Sequence, residues 1–438
     1  LLRISRPVPL PPSDIDDIVL THAHLDHSGF LPVLVREGFK GDVWVSPPTR
    51  GLLPILLMDA ARLQEEDARH ASAGGYSRHK TPKPLFDSDD AERAIRKLRR
   101  LDFGIPREIA GVMVTLHRAG HLLGAASVHM EDDVGSTLFS GDLGRTSDLL
   151  VPAPEPRPHA DRVVLESTYG DREHPPGDPL ELLAEAVSEG LEAGGTVLIP
   201  SFAVGRAQTL ALALHRLREK GRIPHVPMYL NSPMALAASE VHLDHAEELR
   251  PARRELEAAL EAVAPVATVN ESKELNRNRD AKIILAGAGM LSGGRILHHL
   301  EAFGRDPSTT LLMAGYQAAG TRGRRLLEGD RRVRVHGRWL ELNCRVSMLD
   351  TFSGHADRLE LESWLTGNDM PEKGVALVHG EPEAMESFRQ YLEERLRIGV
   401  EVAEEGRVLG LDPWNGSGEP SAAAALHEPG PHPHTDGS

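Results

Sequence analysis

The chain has 438 residues, which at roughly 150 per domain suggests about three domains, or one large domain carrying an insertion. It is 40% hydrophobic and 26% charged, an ordinary globular balance that excludes disorder throughout, and its 65 acidic against 49 basic residues leave a formal charge of −16, which at first sight argues against a polyanionic partner. The single cysteine, Cys344, excludes a disulfide framework and any zinc site of paired thiolates, so a metal would rest on histidine and carboxylate, and the expected compartment is cytoplasmic. No apolar run reaches the roughly 18 to 20 residues of a membrane span.

Residues 1–12 carry neither the charged start nor the apolar centre of a signal peptide and read as a truncated beginning. Residues 17–21 (DIVLT) form a short β-branched strand that runs into HAHLDHSG and then a helix over about 28–37. Residues 41–46 alternate as a strand, 54–70 read as a helix with an acidic face, and 89–100 as a charged helix. From Gly111 the pattern turns to β, with GVMVTLH, AASVHME and STLFSGD as closely spaced strands and DRVVL ending at Glu166.

An alternation of helix and strand follows. Helices are expected over 180–193, 204–220, 234–262 and 294–303, and strands over 196–200, 226–230, 282–286 and 309–314, the pattern of a parallel sheet covered on both faces. β-rich sequence resumes near Val333, then a helix over 357–366 and a strand over 374–378 that ends at His379. Residues 415–438 mix Gly, Pro, Ala and His with no apolar period and read as a disordered tail.

The strongest local signal is His22-Ala23-His24-Leu25-Asp26-His27. Residues two apart at a strand end point the same way, so His22 and His24 can reach one metal, while Asp26 and His27, past the turn, can address a second. Three histidines and an aspartate in six residues are hard to place in a core. Further ligands must come from elsewhere, and His121 (AGHLLG), Asp142 (SGDLG) and His379 (LVHGE) each lie beside glycine at a strand end. Other elements say less. GAGMLSGGR lacks the GxGxxG spacing of a dinucleotide loop, so its small residues suit a substrate cleft with Ser292 and Arg295 as phosphate contacts; Arg206 in PSFAVGR either binds phosphate or caps its helix.

In this order the motifs resemble the metallo-β-lactamase superfamily, over about residues 13–165 and 345–412. The resemblance implies an α/β fold, an αββα four-layer sandwich, with His22, His24 and His121 on one zinc, Asp26, His27 and His379 on the other, and Asp142 bridging. The 237 positions between Asp142 and His379 exceed what a lactonase or β-lactamase needs. Glu166 in LESTYGD, His355 in DTFSGHAD and His379 look like motifs A, B and C of the β-CASP RNA-processing nucleases, which carry an inserted α/β domain in that gap. The implied organisation is a sandwich domain over 1–175, the insertion over 176–344, the rest of the sandwich over 345–412 and a tail over 413–438.

The resemblance further implies two Zn²⁺ per chain, a metal-bound hydroxide nucleophile and hydrolysis of RNA to a 3′-hydroxyl and a 5′-phosphate. Two metals would generate the nucleophile and neutralise charge on the phosphate. His355 is the natural general acid, since imidazole titrates near working pH, and Glu166 would orient it and raise its pKa; Asp26 belongs with the catalytic set and Ser353 with the substrate contacts. In the family's DNA-processing branch motif C usually carries Val, so the resemblance makes His379 point to RNA rather than DNA, with single-stranded RNA the expected partner. Rival readings are a DNA nuclease of the same family, a lactonase-like small-molecule hydrolase, and a scaffold subunit that has lost its metals, although all seven ligand positions are filled here. No membrane partner is expected, and a homodimer is allowed without any segment that demands it. The charge then takes a different meaning: residues 315–345 hold Arg322, Arg324, Arg325, Arg331, Arg332, Arg334, Arg338 and Arg345 against three carboxylates, a local basic excess for salt-sensitive RNA contact.

Overall fold

The computed structural model describes residues 8–74, 82–192 and 194–407. The tail expected over 413–438 therefore lies outside the described residues.

Two sheets build the sandwich. A short parallel sheet joins Ile18–Val19, Val43–Val45 and Leu98–Arg100; a seven-stranded mixed sheet runs from Arg107–Ile109 at one edge, through Val112–Arg118, Ala126–Asp132, Gly135–Phe139, Arg162–Glu166 and Val375–Val378, to Val400–Val402 at the other. The strands from Arg107 to Phe139 pair antiparallel, and the pairings from Gly135–Phe139 onward to Val400–Val402 are parallel. Val19 and Trp44 from the first sheet, with Leu101 just beyond its last strand, pack with Val114, Leu116 and Val128 from the second. Helices Pro47–Gly74 and Ser88–Ile95 cover one outer face, and Arg358–Leu365 and Pro382–Leu396 the other, which completes the αββα layering.

The insertion is a six-stranded, all-parallel sheet in the order Ala264–Pro265, Met228–Asn231, Lys282–Ala286, Thr196–Pro200, Thr310–Ala314, Arg345–Leu349. Alternate residues explain its two helical layers: Val197, Ile199, Ile283 and Leu285 pack against helices Pro179–Glu192 and Arg206–Glu219, while Leu198, Ile284, Leu311 and Met313 pack against Gly294–Phe303. Arg345–Leu349 is an edge strand of this inserted sheet, so the chain crosses back to the sandwich after Leu349 rather than at 345.

Three local expectations shift. The helix expected over 28–37 is two short ones, Leu25–Ser28 and Leu31–Arg36, because Pro32 favours a fresh first turn. The helix expected over 89–100 stops at Ile95, since Leu98–Arg100 pairs with Val43–Val45 and buries Leu98. The long helix expected over 234–262 breaks into Pro233–Asp244 and Arg253–Glu261 around Pro251, which has no N–H to give. No helix of the described residues is long and apolar enough to cross a membrane.

Candidate metal centre and active site

The first strand ends at Val19, and the loop after it delivers His22 and His24 before helix Leu25–Ser28 places the half-buried His27 and the exposed Asp26 beside them. His121 follows the strand Val112–Arg118, Asp142 follows Gly135–Phe139, Glu166 ends Arg162–Glu166 and His379 follows Val375–Val378. Every one of these sits at the same end of a sheet, where strand ends leave side chains free of the ladder.

Asp142 is the centre of the arrangement, with 1% of its surface exposed. Its Oδ2 lies 3.4 Å from His22 Nε2 and 3.5 Å from His121 Nε2, and its Oδ1 lies 3.4 Å from His27 Nε2 and 3.3 Å from His379 Nδ1. On the Oδ2 side His121 Nε2 is 3.1 Å from His24 Nδ1; on the Oδ1 side His27 Nε2 is 3.1 Å from His379 Nε2, and Asp26 Oδ2 is 3.4 Å from that nitrogen. His22, His24, His121 and Asp142 thus form one group able to hold a cation, and Asp26, His27 and His379 another. The residues fit a metal on their own account: His22 Nε2 and Asp142 Oδ1 are buried without a hydrogen-bond partner, which a protein rarely tolerates unless something else satisfies them.

Neighbours fix the ligand nitrogens. His22 Nδ1 meets Thr21 Oγ1 at 3.1 Å, His121 Nδ1 donates to the Gly354 carbonyl at 3.1 Å, and His379 Nδ1 meets Thr168 Oγ1 at 3.1 Å. Such outer contacts orient each ring. Burial pushes His22 and His121 below the ordinary histidine value, and takes His24 down to about 3, with His22 adding to it. These three are neutral at neutral pH, as ligands must be. His379 behaves differently: burial opposes its charge, but Asp26, Asp142 and Glu166 outweigh burial and raise it to about 9. Asp142 is held well below the carboxylate range despite burial, chiefly by His22, and Asp26, although exposed at its outer side, is also held below it against its partial burial, chiefly by its contact with His379.

Beside this cluster stands the pair singled out from motifs A and B. His355 Nδ1 is 3.2 Å from both oxygens of Glu166, which is 1% exposed and also accepts the Leu143 N–H at 2.6 Å. Burial disfavours the imidazolium of His355, yet Glu166 and then Asp142 overcome it and hold its pKa above the ordinary value. The His355 ring packs 4.5 Å from that of His121. Asp142, Glu166, His355 and His379 also lie close enough together to form a cation-holding group, a second use of the same residues that experiment can separate.

The weaker candidates divide. Arg206 comes from the inserted domain and reaches the centre: a Cβ placed on Gly354 would lie 3.2 Å from its Nη2 and 3.3 Å from His121 Nδ1. Asp148 is the carboxylate that acts on it most strongly, without pairing with it. Ser353 is buried and its Oγ accepts the His355 N–H at 3.3 Å, so it shapes the loop under His355. Arg295 donates to the carbonyls of Thr268 and Ala267, and Ser292 is exposed with its carbonyl taken by Arg322; neither is brought to the histidine cluster.

Sequence reasoning passed over three residues. His174 donates from Nε2 to the His355 carbonyl at 2.9 Å, Tyr169 stacks edge-on to His174, and Tyr316 donates its hydroxyl to Glu381 at 2.6 Å, tying the insertion to the sandwich two residues after His379. Tyr169 and His174 stand within the LESTYGDREH segment already marked for Glu166, so their proximity was a readable hint; Tyr316 carried none.

Three family models match the chain: the metallo-β-lactamase superfamily over residues 5–180, the Beta-Casp domain over 207–326 and a Zn-dependent metallo-hydrolase RNA specificity domain over 339–403. A ribonuclease of Thermus thermophilus is 37% identical over 414 residues, covering 92% of this chain and 89% of that protein. The chain belongs to the β-CASP family of the metallo-β-lactamase superfamily. Transcription termination factors FttA of Methanosarcina mazei and Pyrococcus abyssi are 32% and 34% identical over 90% and 84% of this chain. The β-CASP chain spans 62% and 58% of their lengths, so it matches the larger part of each and leaves the remainder unmatched.

Proposed function

We propose that this β-CASP protein is a ribonuclease that hydrolyses single-stranded RNA with two Zn²⁺. The observation that carries the reading is the placement of Asp142: one carboxylate oxygen faces His22 and His121, the other His27 and His379, and the Glu166–His355 pair lies alongside. His22, His24, His121 and Asp142 would hold one zinc, and Asp26, His27, His379 and Asp142 the other. Bound zinc supplies positive charge for phosphate oxygens and lowers the pKa of water from roughly 15.7 to about 7.

The chain's own groups do the rest. Glu166 keeps the proton on His355 Nδ1 and favours the charged ring, so Nε2 can protonate the departing 3′-oxygen and leave a 3′-hydroxyl and a 5′-phosphate. Arg206, with no carboxylate paired to it among the described residues, offers its guanidinium to a phosphate oxygen from the insertion side. The Tyr316–Glu381 bond is one link between the insertion and the sandwich beside His379. The names of the Thermus ribonuclease and the archaeal termination factors support an RNA substrate.

Purified chain reloaded with zinc after chelation, assayed on end-labelled single-stranded RNA and DNA of one sequence, tests this. RNA is expected to be cut faster, with loss of cleavage and of bound zinc in His24→Ala. Faster cleavage of DNA, or turnover of lactones without RNA cleavage, would overturn the assignment.

A further inference from the structure

Within the inserted domain a two-stranded ribbon, Arg332–Val335 against Arg338–Glu341, stands apart from the large sheets. Its turn is His336-Gly337, both at positive φ, as a tight two-residue hairpin requires. One face is anchored: Val333, Val335 and Leu340 are buried with Leu326 and Cys344. The tip is held too, since His336 Nδ1 is 2.9 Å from Glu301 Oε2 and its ring stacks 4.4 Å from that of His298. The ribbon is thus a rigid platform with one face left over.

That outer face carries Arg332, Arg334, Trp339 and Glu341, because the register sets Arg332 opposite Glu341 and Arg334 opposite Trp339. Trp339 is 55% exposed, with the Arg332 guanidinium 5.3 Å from its ring centre. The structure sorts the arginines of this region into two kinds. Arg324, Arg325 and Arg345 are neutralised by Glu328, Asp330 and Glu189. Arg332, Arg334 and Arg338 are exposed and form no ion pair among the described residues; Arg334 donates only to the Gly337 carbonyl. An exposed indole flanked by unneutralised guanidiniums, on a chain that is otherwise strongly acidic, is a surface for a polyanion with free π-faces.

We infer that this ribbon is a second, non-catalytic binding site for single-stranded RNA, in which a base stacks on Trp339 while Arg332 and Arg334, on the same face, hold the backbone phosphates. The inference rests on the RNA reading above and adds a subsite to it. A duplex would present no unstacked base to the indole, which is why a single strand is the expected ligand.

The test uses the full chain made inactive by His355→Ala and a fluorescein-labelled 30-nucleotide RNA of mixed sequence, followed by anisotropy. Trp339→Ala should weaken binding about tenfold, the usual effect of removing one stacking aromatic. Trp339→Phe should stay within about threefold, and the same melting temperature in both excludes misfolding. Arg332→Ala/Arg334→Ala should reduce the slope of log affinity against log salt by about 1.4, or about 0.7 for each phosphate contact. If the parent binds RNA and Trp339→Ala binds within twofold of it, the subsite is wrong while the ribonuclease reading stands. If Trp339→Ala alters the oligomeric state and not RNA binding, the face belongs to a second copy and the subsite is again overturned. A parent that binds no RNA would sink both.

Discussion

Glu166→Gln is the most informative single change, because Glu166 and His355 can be read in two ways. As a proton-transfer pair, Glu166 supports a charged His355 through a contact of 3.2 Å from both oxygens. A hydrogen bond to a charged partner contributes about 1.5–3 kcal/mol, so neutralising Glu166 should lower kcat by roughly 10- to 150-fold at about 1.4 kcal/mol per decade. His355→Ala, which removes the acid itself, should cost about 10²- to 10⁴-fold. KM should change little in either. The amide is nearly isosteric, but the Leu143 N–H at 2.6 Å and the Thr168 N–H at 3.3 Å both point at the carboxylate, so one meets the new NH₂ at a stability cost of about 1 kcal/mol. The decisive assay pairs RNA with bis(p-nitrophenyl) phosphate, whose good leaving group needs no proton. Both variants should retain most activity on the nitrophenyl diester. Loss of one equivalent of zinc in Glu166→Gln, with equal falls on both substrates, would refute the acid role and make the pair metal ligands.

Two further changes probe the surroundings. Gly354→Ala should lower kcat/KM about tenfold, since the added methyl meets Arg206 Nη2 at 3.2 Å and His121 Nδ1 at 3.3 Å and overpacking costs about 1–3 kcal/mol; wild-type KM and wild-type zinc content together would show that neither neighbour matters. His242 is fully buried and its pKa is depressed from 6.5 to about 4 by burial, so the unfolded chain takes up a proton that the folded chain refuses between those values. Stability from this residue is complete above pH 6.5 and falls by about 3 kcal/mol as pH drops to 4; urea titrations at pH 7 and 4.5 should show a smaller acid loss in His242→Leu, and parallel losses would contradict the argument.

The fold was legible where periodicity was strong and short-range. The alternation over residues 180–314 yields four of the six strands of the parallel sheet, because buried parallel strands are continuous apolar runs with helices between them, whereas the two edge strands, Ala264–Pro265 and Arg345–Leu349, carry no such run. Boundaries failed where a tertiary partner decided the matter: Leu98–Arg100 is a strand through its pairing with Val43–Val45, and Arg345 belongs to the insertion through its pairing with Thr310. Helix Pro382–Leu396 and Val269–Arg277 were not foreseen, their apolar positions being sparse. In the site, HAHLDH announced itself by density of ligand types. His121, Asp142 and His379 acquire force from order and resemblance alone, and the structure adds the reason they converge, which is that each ends a strand on the same edge. The contacts of Ser292 and Arg295 could not be read, since whether a guanidinium faces a cleft or its own carbonyls is settled by packing across the domain.

The backbone at two of the proposed ligands bears on what the fold is organised to do. His121 and His379 lie at φ of 58° and 55°, the left-handed region in which a side chain costs roughly 1–2 kcal/mol. Each has glycine as a neighbour, Gly120 before the first and Gly380 after the second, and Gly120 itself adopts a φ of 67°. A strand that simply ended would not need these turns. They swing each imidazole back across the sheet end toward Asp142, which is itself buried with an unsatisfied oxygen. Strained backbone, uncompensated buried polar atoms and crowded imidazoles all destabilise a protein without its ligand, and here they fall on one point. Binding a cation satisfies the orphaned atoms and turns the crowding of imidazoles into coordination. The stability spent at this end of the sheets is therefore a function of the site.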